Sequence, residues 1–272
     1  ENRGTRVMAH AKGNDLINHP TEWKTLAIIG FNREGEDEWL RRQIHAFTDW
    51  IYEGVHFGFI SALEYYGADD DAPETPEDLH IRHEKKIVNF YISTSRDGIN
   101  WDLDWAYAEK PLIPRGPAGS WDKDGIHVPN LITHEDRHWL YYCGMLERFG
   151  HDNPKGLMGI GLASLRLDGF VYLEAKDDLG TVVTKPFTLE GNVLQVNVDA
   201  SNNSEFFVEV LDINNRPIPG FSAREAEIYA GADALRLKPR WKDQSNLSVL
   251  NERLVRLKFY LRNAKLYAFQ IQ

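Results

Sequence analysis

Residues 121–145, "WDKDGIHVPNLITHEDRHWLYYCGM", decide how this chain folds. Two acids, Asp122 and Asp124, stand just ahead of Gly125. An apolar run containing His127 and Pro129 follows, then a polar turn and a second, aromatic run that closes on Gly144. β-Branched and aromatic residues dominate both runs, which predicts two strands joined by a tight turn. Proline cannot donate to a sheet ladder, so Pro129 places the first of these strands at a sheet edge.

The same texture extends outward in both directions. Strand-like runs cover 5–12, 24–31, 43–51, 54–63, 86–95, 158–167 and 170–175, each bounded by Gly, Pro, Asn or Asp. "DEWLRRQIHAF" (37–47) carries a competing helical pattern. The acidic stretch 66–86 reads as a long solvated loop, since its composition cannot form a core. From about residue 180 onward apolar and polar residues alternate at period two, as in "NVLQVNVDA" and "RLVRLKFYL". That pattern predicts antiparallel sheets with one wet face, a β-sandwich of roughly 90 residues. The expected division is 1–178 and 179–272.

Before the boundary the strands group in fours, the unit of a β-propeller blade. One blade would run over 43–108, its outer strand around "DLDWAYA", and a second over 124–177. Residues 5–31 would supply the outer half of a preceding blade. The fold class is therefore all-β, propeller blades followed by a β-sandwich. About two and a half blades fall short of the roughly four needed to close a ring. On that count the chain is expected to be the C-terminal portion of a longer, five-bladed protein.

Composition narrows the partners. The 272 residues are 42% hydrophobic and 26% charged, with no apolar run near the ~20 residues of a membrane helix. The net charge of −10 argues against nucleic acid as a ligand. Eight tryptophans and eleven tyrosines suit twisted sheets, and also surfaces that stack on sugar rings. The lone Cys143 excludes an intrachain disulfide and a cysteine zinc site, and is expected to be a buried inert thiol. No targeting segment is legible and the sequence starts at Glu1, so compartment is left open, as is oligomeric state.

Local motifs split into structural and functional sets. In "STSRDGINW" (93–101), Ser95, Asp97, Gly98 and Trp101 predict a hairpin turn with Asp97 accepting backbone N–H groups. "KGNDLINHPTEW" (12–23) looks like a degenerate copy, and Asp168–Gly169 is another turn signal. The innermost strand of a blade is an edge lining the central funnel, which brings Trp121, Asp122, Asp124 and His127 toward the axis. Period-two alternation puts Gln43, His45 and Asp49 on one face in the previous blade. The acids could equally cap a turn and the histidines be satisfied structural residues.

Glycoside chemistry needs one carboxylic acid to protonate the leaving oxygen and a second carboxylate as base or nucleophile. Asp122 or Asp124 could supply one. Glu147, in the loop after the second strand, could supply the other or be a solvated loop acid. His151 in that loop could meet a sugar hydroxyl. "HIRHEKK" (80–86) lacks the helix of a His-Glu zinc motif and no phosphate loop is present, so no metal or cofactor is expected.

"SRDGINW", "GSWDKDGIHVPNLITHEDRHWLYYCGM" and "GIGLASLRLDGFVYLEA" together resemble the five-bladed β-propeller glycoside hydrolases, the families around invertases, β-fructosidases and arabinofuranosidases. The resemblance implies a saccharide substrate, a C-terminal β-sandwich and three acids on separate inner strands. Asp122 and Asp124 match a "W-D-x-x-G-[IV]-x-x-P" stretch that opens a blade in such relatives. The family's "N-D-P" motif is absent, and Arg96–Asp97 lies in the hairpin turn, so it is not carried over to the "R-D-P" motif. Two readings follow: a glycoside hydrolase, or a non-catalytic carbohydrate-binding propeller–sandwich protein. A third is a structural interaction module built on the sandwich.

Overall fold

Short apolar runs separated by turn residues become strands throughout the computed structural model, which describes residues 6–15, 17–19, 21–31, 42–64, 87–146, 158–201 and 203–272. The acidic loop 66–86, the stretch 37–41 of the competing helix, Glu147 and His151 lie outside the described residues. The chain divides into two units, 1–132 with 139–163, and 133–138 with 164–272.

Two strands, β1 (Met8–Gly13) and β2 (Trp23–Ile29), pair as an antiparallel hairpin. Next come β3 (Gln43–Tyr52), β4 (Val55–Glu64), β5 (Ile87–Ser95) and the short β6 (Trp101–Asp102). After a single helical turn, α1 (Asp104–Tyr107), the chain forms β7 (Gly125–His134), β8 (Arg137–Met145) and β9 (Met158–Arg166). One sheet takes the order β3-β4-β5-β7-β8-β9, with β6 paired to β5. The run β3-β4-β5-β6 is antiparallel and has the strand order of a blade. β7 joins β5 in parallel at Val88–Gly125. β7 lies between β5 and β8, so the strand carrying Pro129 is not the edge strand expected from the sequence.

Glu53 and Gly54, both at positive φ (48° and 71°), turn β3 into β4 with the two-residue connection whose twist suits a hairpin. From Gly58 to Glu64 every residue of β4 is buried, so both faces of the sheet are covered there. On one face Ile44, Ile60, Ala62 and Tyr91 form a core with Ile29, Phe31 and Ala106. On the other, Leu63 and Val88 pack with Met145.

Two strand expectations are corrected. "DLDWAYA" is not an outer strand: pairing stops at Asp102, whose carboxylate accepts the Asp104 N–H (2.9 Å) and starts α1, burying Ala106 in the core. "FVYLEA" does not close a second blade either, because its ordered part, β10 (Leu173–Ala175), pairs with the C-terminal strand. Ala175 packs on the core of the second unit.

The hairpin-turn motif occurs twice with matching bonds. Asp97 Oδ1 accepts the N–H groups of Ile99 (2.8 Å) and Asn100 (2.7 Å), and the Asn100 side chain donates to Oδ2 (2.7 Å). Asp15 does the same with Ile17 (3.1 Å), Asn18 (3.0 Å) and the Asn18 side chain (2.8 Å). These bonds hold both carboxyls below the usual carboxylate range. Gly98, at φ 68°, supplies the left-handed position, and its carbonyl accepts the Trp101 indole N–H (3.1 Å).

The second unit carries β11 (Gly180–Val183), β12 (Phe187–Thr188), β13 (Leu194–Ala200), β14 (Glu205–Leu211), β15 (Ala232–Leu237), β16 (Leu254–Arg262) and β17 (Ala264–Ile271). β10-β17-β13-β15 form one antiparallel sheet, and β16 with β11, β12 and β14 forms another. Strict alternation in β16 sends Val255, Leu257, Phe259 and Leu261 inward, against Val196 and Val198 of β13 and Phe206, Val208 and Val210 of β14. Trp241 closes this core and donates its indole N–H to the Val208 carbonyl (2.9 Å). Among the described residues no helix is long and apolar enough to cross a membrane.

Candidate functional site on the first unit

The turn that feeds β7 is built from "GSWDKDG". Gly119 takes φ 86°, and the Ser120 N–H returns to the Pro117 carbonyl (3.0 Å). The Ser120 hydroxyl then donates to Asp122 Oδ1 (2.8 Å), while Tyr142 of β8 donates its hydroxyl to Oδ2 (3.1 Å). Burial, followed by this bond to Asp122, raises the Tyr142 pKa, so the phenol stays a donor. Asp124 serves differently: its carbonyl accepts the Val88 N–H and its N–H reaches the Met145 carbonyl, both at 3.0 Å. One residue thus ties β5 to the end of β8. Its carboxylate pairs with Lys123 Nζ at 2.6 Å. Asp122 and Asp124 are only 9% and 4% exposed, and each already has partners.

Trp121 is 41% exposed and lies nearly parallel to the Tyr142 ring, centroids 5.8 Å apart and planes at 15°. Glycines make room for this pair. A Cβ at Gly144 would stand 2.3 Å from the Trp121 ring, one at Gly159 2.8 Å from it, and one at Gly161 2.3 Å from the Tyr142 ring. The small residues of "CGM" and "MGIGLAS" therefore form a floor on which two aromatic rings lie flat. Cys143 in this strand is half-buried rather than buried, with Sγ 3.9 Å from the Gly144 carbonyl.

The histidines converge. His45 of β3 and His127 of β7 meet edge to face with centroids 4.8 Å apart. Two strands separate β3 from β7, and a flat sheet would hold them about 14 Å apart, so the sheet must curl strongly. Arg6 Nη1 lies 2.9 Å from His45 Nδ1, and the Arg6 N–H points to the Gln43 side-chain oxygen (3.4 Å). Burial, then the neighbouring His45, lowers the His127 pKa to about 4, and its buried Nε2 has no hydrogen-bond partner among the described residues. Burial and Arg6 lower His45 as well. Both rings are therefore neutral near pH 7.

Asp49 departs from the face predicted for it. A bulge between Ile44 and Ala46 leaves His45 as the extra residue, so period-two counting from Gln43 fails beyond it. Gln43 opposes Leu63 and Asp49 opposes Gly58, on opposite faces of β4. Asp49 instead lies 2.9 Å from His56 Nδ1.

Sequence reasoning missed a buried ionic network. Glu64, at the end of β4, is 0% exposed and accepts from Arg42 Nε, from Asn89 Nδ2 (2.7 Å) and from the Tyr91 hydroxyl (2.5 Å). Asn89 in turn accepts Arg115 Nε (2.9 Å), and Arg115 Nη1 donates to the Lys123 carbonyl beside Asp124. The network therefore anchors the turn carrying Trp121 and Asp122 to the centre of the sheet. Register explains it: Glu64, Ala62 and Ile60 share a face with Asn89 and Tyr91, which oppose Ala62 and Ile60. An acid at the end of a mostly apolar strand was the available signal. Among the described residues no group of three or more His, Cys, Asp or Glu side chains is placed to hold a metal ion.

No family model matches this sequence, and no curated protein matches it. Solved structures give distant likenesses. One is a glycoside hydrolase, 19% identical over 57% of this chain and 34% of that one, with a TM-score of 0.34. Another is an α-L-arabinofuranosidase from Fusarium graminearum, 15% identical over 75% of this chain and 48% of that one (TM-score 0.27). A third is a family 32 β-fructofuranosidase from Bombyx mori, 10% identical over 97% of this chain and 85% of that one (TM-score 0.31). The chain spans about a third of the length of the first. At these TM-scores the likenesses assign no residue here a role.

Proposed function

We propose that the chain handles saccharides in the manner of a propeller glycoside hydrolase, with propeller blades in the first unit and a β-sandwich in the second. The observation carrying this reading is the flat Trp121–Tyr142 pair with the Asp122 carboxylate bonded to the Tyr142 hydroxyl. An exposed indole face suits the C–H face of a sugar ring, and an adjacent carboxylate suits its hydroxyl groups or its glycosidic oxygen. The neutral edge of His127 and the amide of Gln43 would orient hydroxyls alongside His45. In hydrolysis Asp122 or Asp124 would act with Glu147. One protonates the departing glycosidic oxygen while the other attacks the anomeric carbon or takes a proton from the attacking water. His151 would contact the sugar from the Glu147 loop.

The second reading, saccharide binding without hydrolysis, is favoured by the existing partners of Asp122 and Asp124. A panel of aryl glycosides and a titration with neutral oligosaccharides separate the two. Turnover that Asp122→Asn or Glu147→Gln abolishes while binding persists supports hydrolysis. Binding that Trp121→Ala weakens, with no turnover on any glycoside, supports the binder. Neither binding nor turnover refutes both.

A further inference from the structure

The outward face of β16 holds a cleft of about 600 Å³ that belongs wholly to the second unit. Its floor is Glu209 of β14 with Arg256, Lys258 and Tyr260 of β16, and Asn215 lies on its wall. The wall is a fixed hairpin: Asp212 Oδ1 accepts the N–H groups of Asn214 (2.8 Å) and Arg216 (2.9 Å), and Asn215 sits at φ 62°. Tyr260 stacks on Phe207, centroids 4.3 Å apart and planes at 11°.

Charge on this floor is unbalanced. Both oxygens of Glu209 are taken, Oε2 by the Tyr260 hydroxyl (2.8 Å) and Oε1 by the Ala223 N–H (3.0 Å). Lys258 opposes Glu209 across the ladder, yet its ammonium lies over the Tyr260 ring at 4.7 Å and joins no ion pair among the described residues. Arg256 donates Nη1 to the Thr184 carbonyl (3.0 Å), while its Nε is buried with no acceptor among the described residues. Nε and Nη2 form the side of a guanidinium that grips a carboxylate with two parallel bonds. A buried donor left unpaired is costly, and an incoming acceptor removes that cost. Two cations stand against one fully engaged carboxylate, on a chain whose net charge is −10.

We propose that this cleft binds a carboxylate-bearing sugar, a hexuronate residue. Its carboxylate sits against the Arg256 guanidinium with Lys258 beside it, and its hydroxyls reach Asn215. The saccharide half of the proposal rests on the function proposed above, and the anion half rests on the cleft alone. The site is independent of Trp121.

Titration of the full chain with glucuronate, glucose and acetate tests it, read from the Arg256 Nε–H resonance and by calorimetry. Glucuronate is expected to bind at least about tenfold more tightly than glucose or acetate. Arg256→Met and Lys258→Met are each expected to weaken it by about tenfold or more, and Trp121→Ala to leave it unchanged. Lys258→Met guards against loss of the Thr184 bond in the arginine variant. Glucose or acetate shifting the Arg256 Nε–H resonance as strongly as glucuronate, no shift with glucuronate, or indifference to Lys258→Met overturns the proposal. So does loss of that resonance shift in Trp121→Ala, which would make it a reflection of sugar on the first unit. Failure of saccharide binding at Trp121 leaves this titration unaffected, so the two readings fail separately.

Discussion

Removing the Glu64 carboxylate is expected to be the most damaging single change to the first unit. The Glu64 side chain is 1% exposed and that of Arg42 14% exposed, so water replaces little of what Glu64→Ala removes. Burial lowers the Arg42 pKa while the Glu64 charge and Tyr91 raise it; arginine is too basic to lose its proton in a protein, so the guanidinium stays charged without its partner. One Arg42 nitrogen, Nη2, already lacks an acceptor among the described residues, and the substitution orphans Nε as well. Asn89 and the Tyr91 hydroxyl lose their acceptor too. Breaking a buried pair from one side costs about 3–5 kcal/mol. At about 2–4 °C per kcal/mol that is a fall in Tm of roughly 10 °C for a unit of this size. Glu64→Gln keeps an acceptor for Asn89 and is expected to lose about half as much. The double substitution Arg42→Met/Glu64→Leu removes both charges and should recover most of the loss. Calorimetric unfolding of the wild type, Arg42→Met, Glu64→Leu and the double variant gives the cycle, with Glu64→Ala and Glu64→Gln measured beside it. A Glu64→Ala cost below about 1 kcal/mol, or a double variant as damaged as the sum of its parts, would refute the reasoning.

Three further outcomes are expected. The His127 ring should titrate near pH 4 by NMR. Because that value lies below the ordinary 6.5, its stabilising contribution is present above pH 6.5 and is lost as pH falls toward 4. His127→Gln should flatten stability across that window, and an unchanged slope would count against the buried geometry. Asp97, held low by its N–H donors, contributes stability above the ordinary Asp value that is lost as pH falls through its lowered one. Asp97→Ala should remove that part of the acid limb, measured by urea unfolding at descending pH. Gly144→Ala puts a Cβ 2.3 Å from the Trp121 ring and 2.7 Å from Asp122 Cβ. It should lift the indole off Tyr142, shift its fluorescence to the red and cost about 1–3 kcal/mol. An unshifted spectrum would mean the ring does not lie on that floor.

Patterns whose physics is local were legible in the sequence. Strand runs follow from β-branched and aromatic residues between turn formers, and the alternation in 254–262 alone sent Val255, Leu257, Phe259 and Leu261 inward. The turn at Asp97 and its copy at Asp15 were readable because each carboxylate bonds to N–H groups only two and three residues on.

What depends on register or long-range pairing was decided only by the tertiary structure. One bulge at His45 reversed the face of Asp49, since a single extra residue flips every side chain beyond it. The short "LEA" strand went to β17 because Ala175 had a core to cover there, which no local pattern announces. The Glu64–Arg42–Asn89–Tyr91 network draws on residues 22 to 27 positions from Glu64, and strand pairing alone brings them to one face. Sheet curl put His45 against His127. The sequence by itself determined which segments are strands and where many of their turns fall, because those preferences reside in single residues and their neighbours. Which side chains meet was left to the sheet, whose register and curvature are properties of all its strands together.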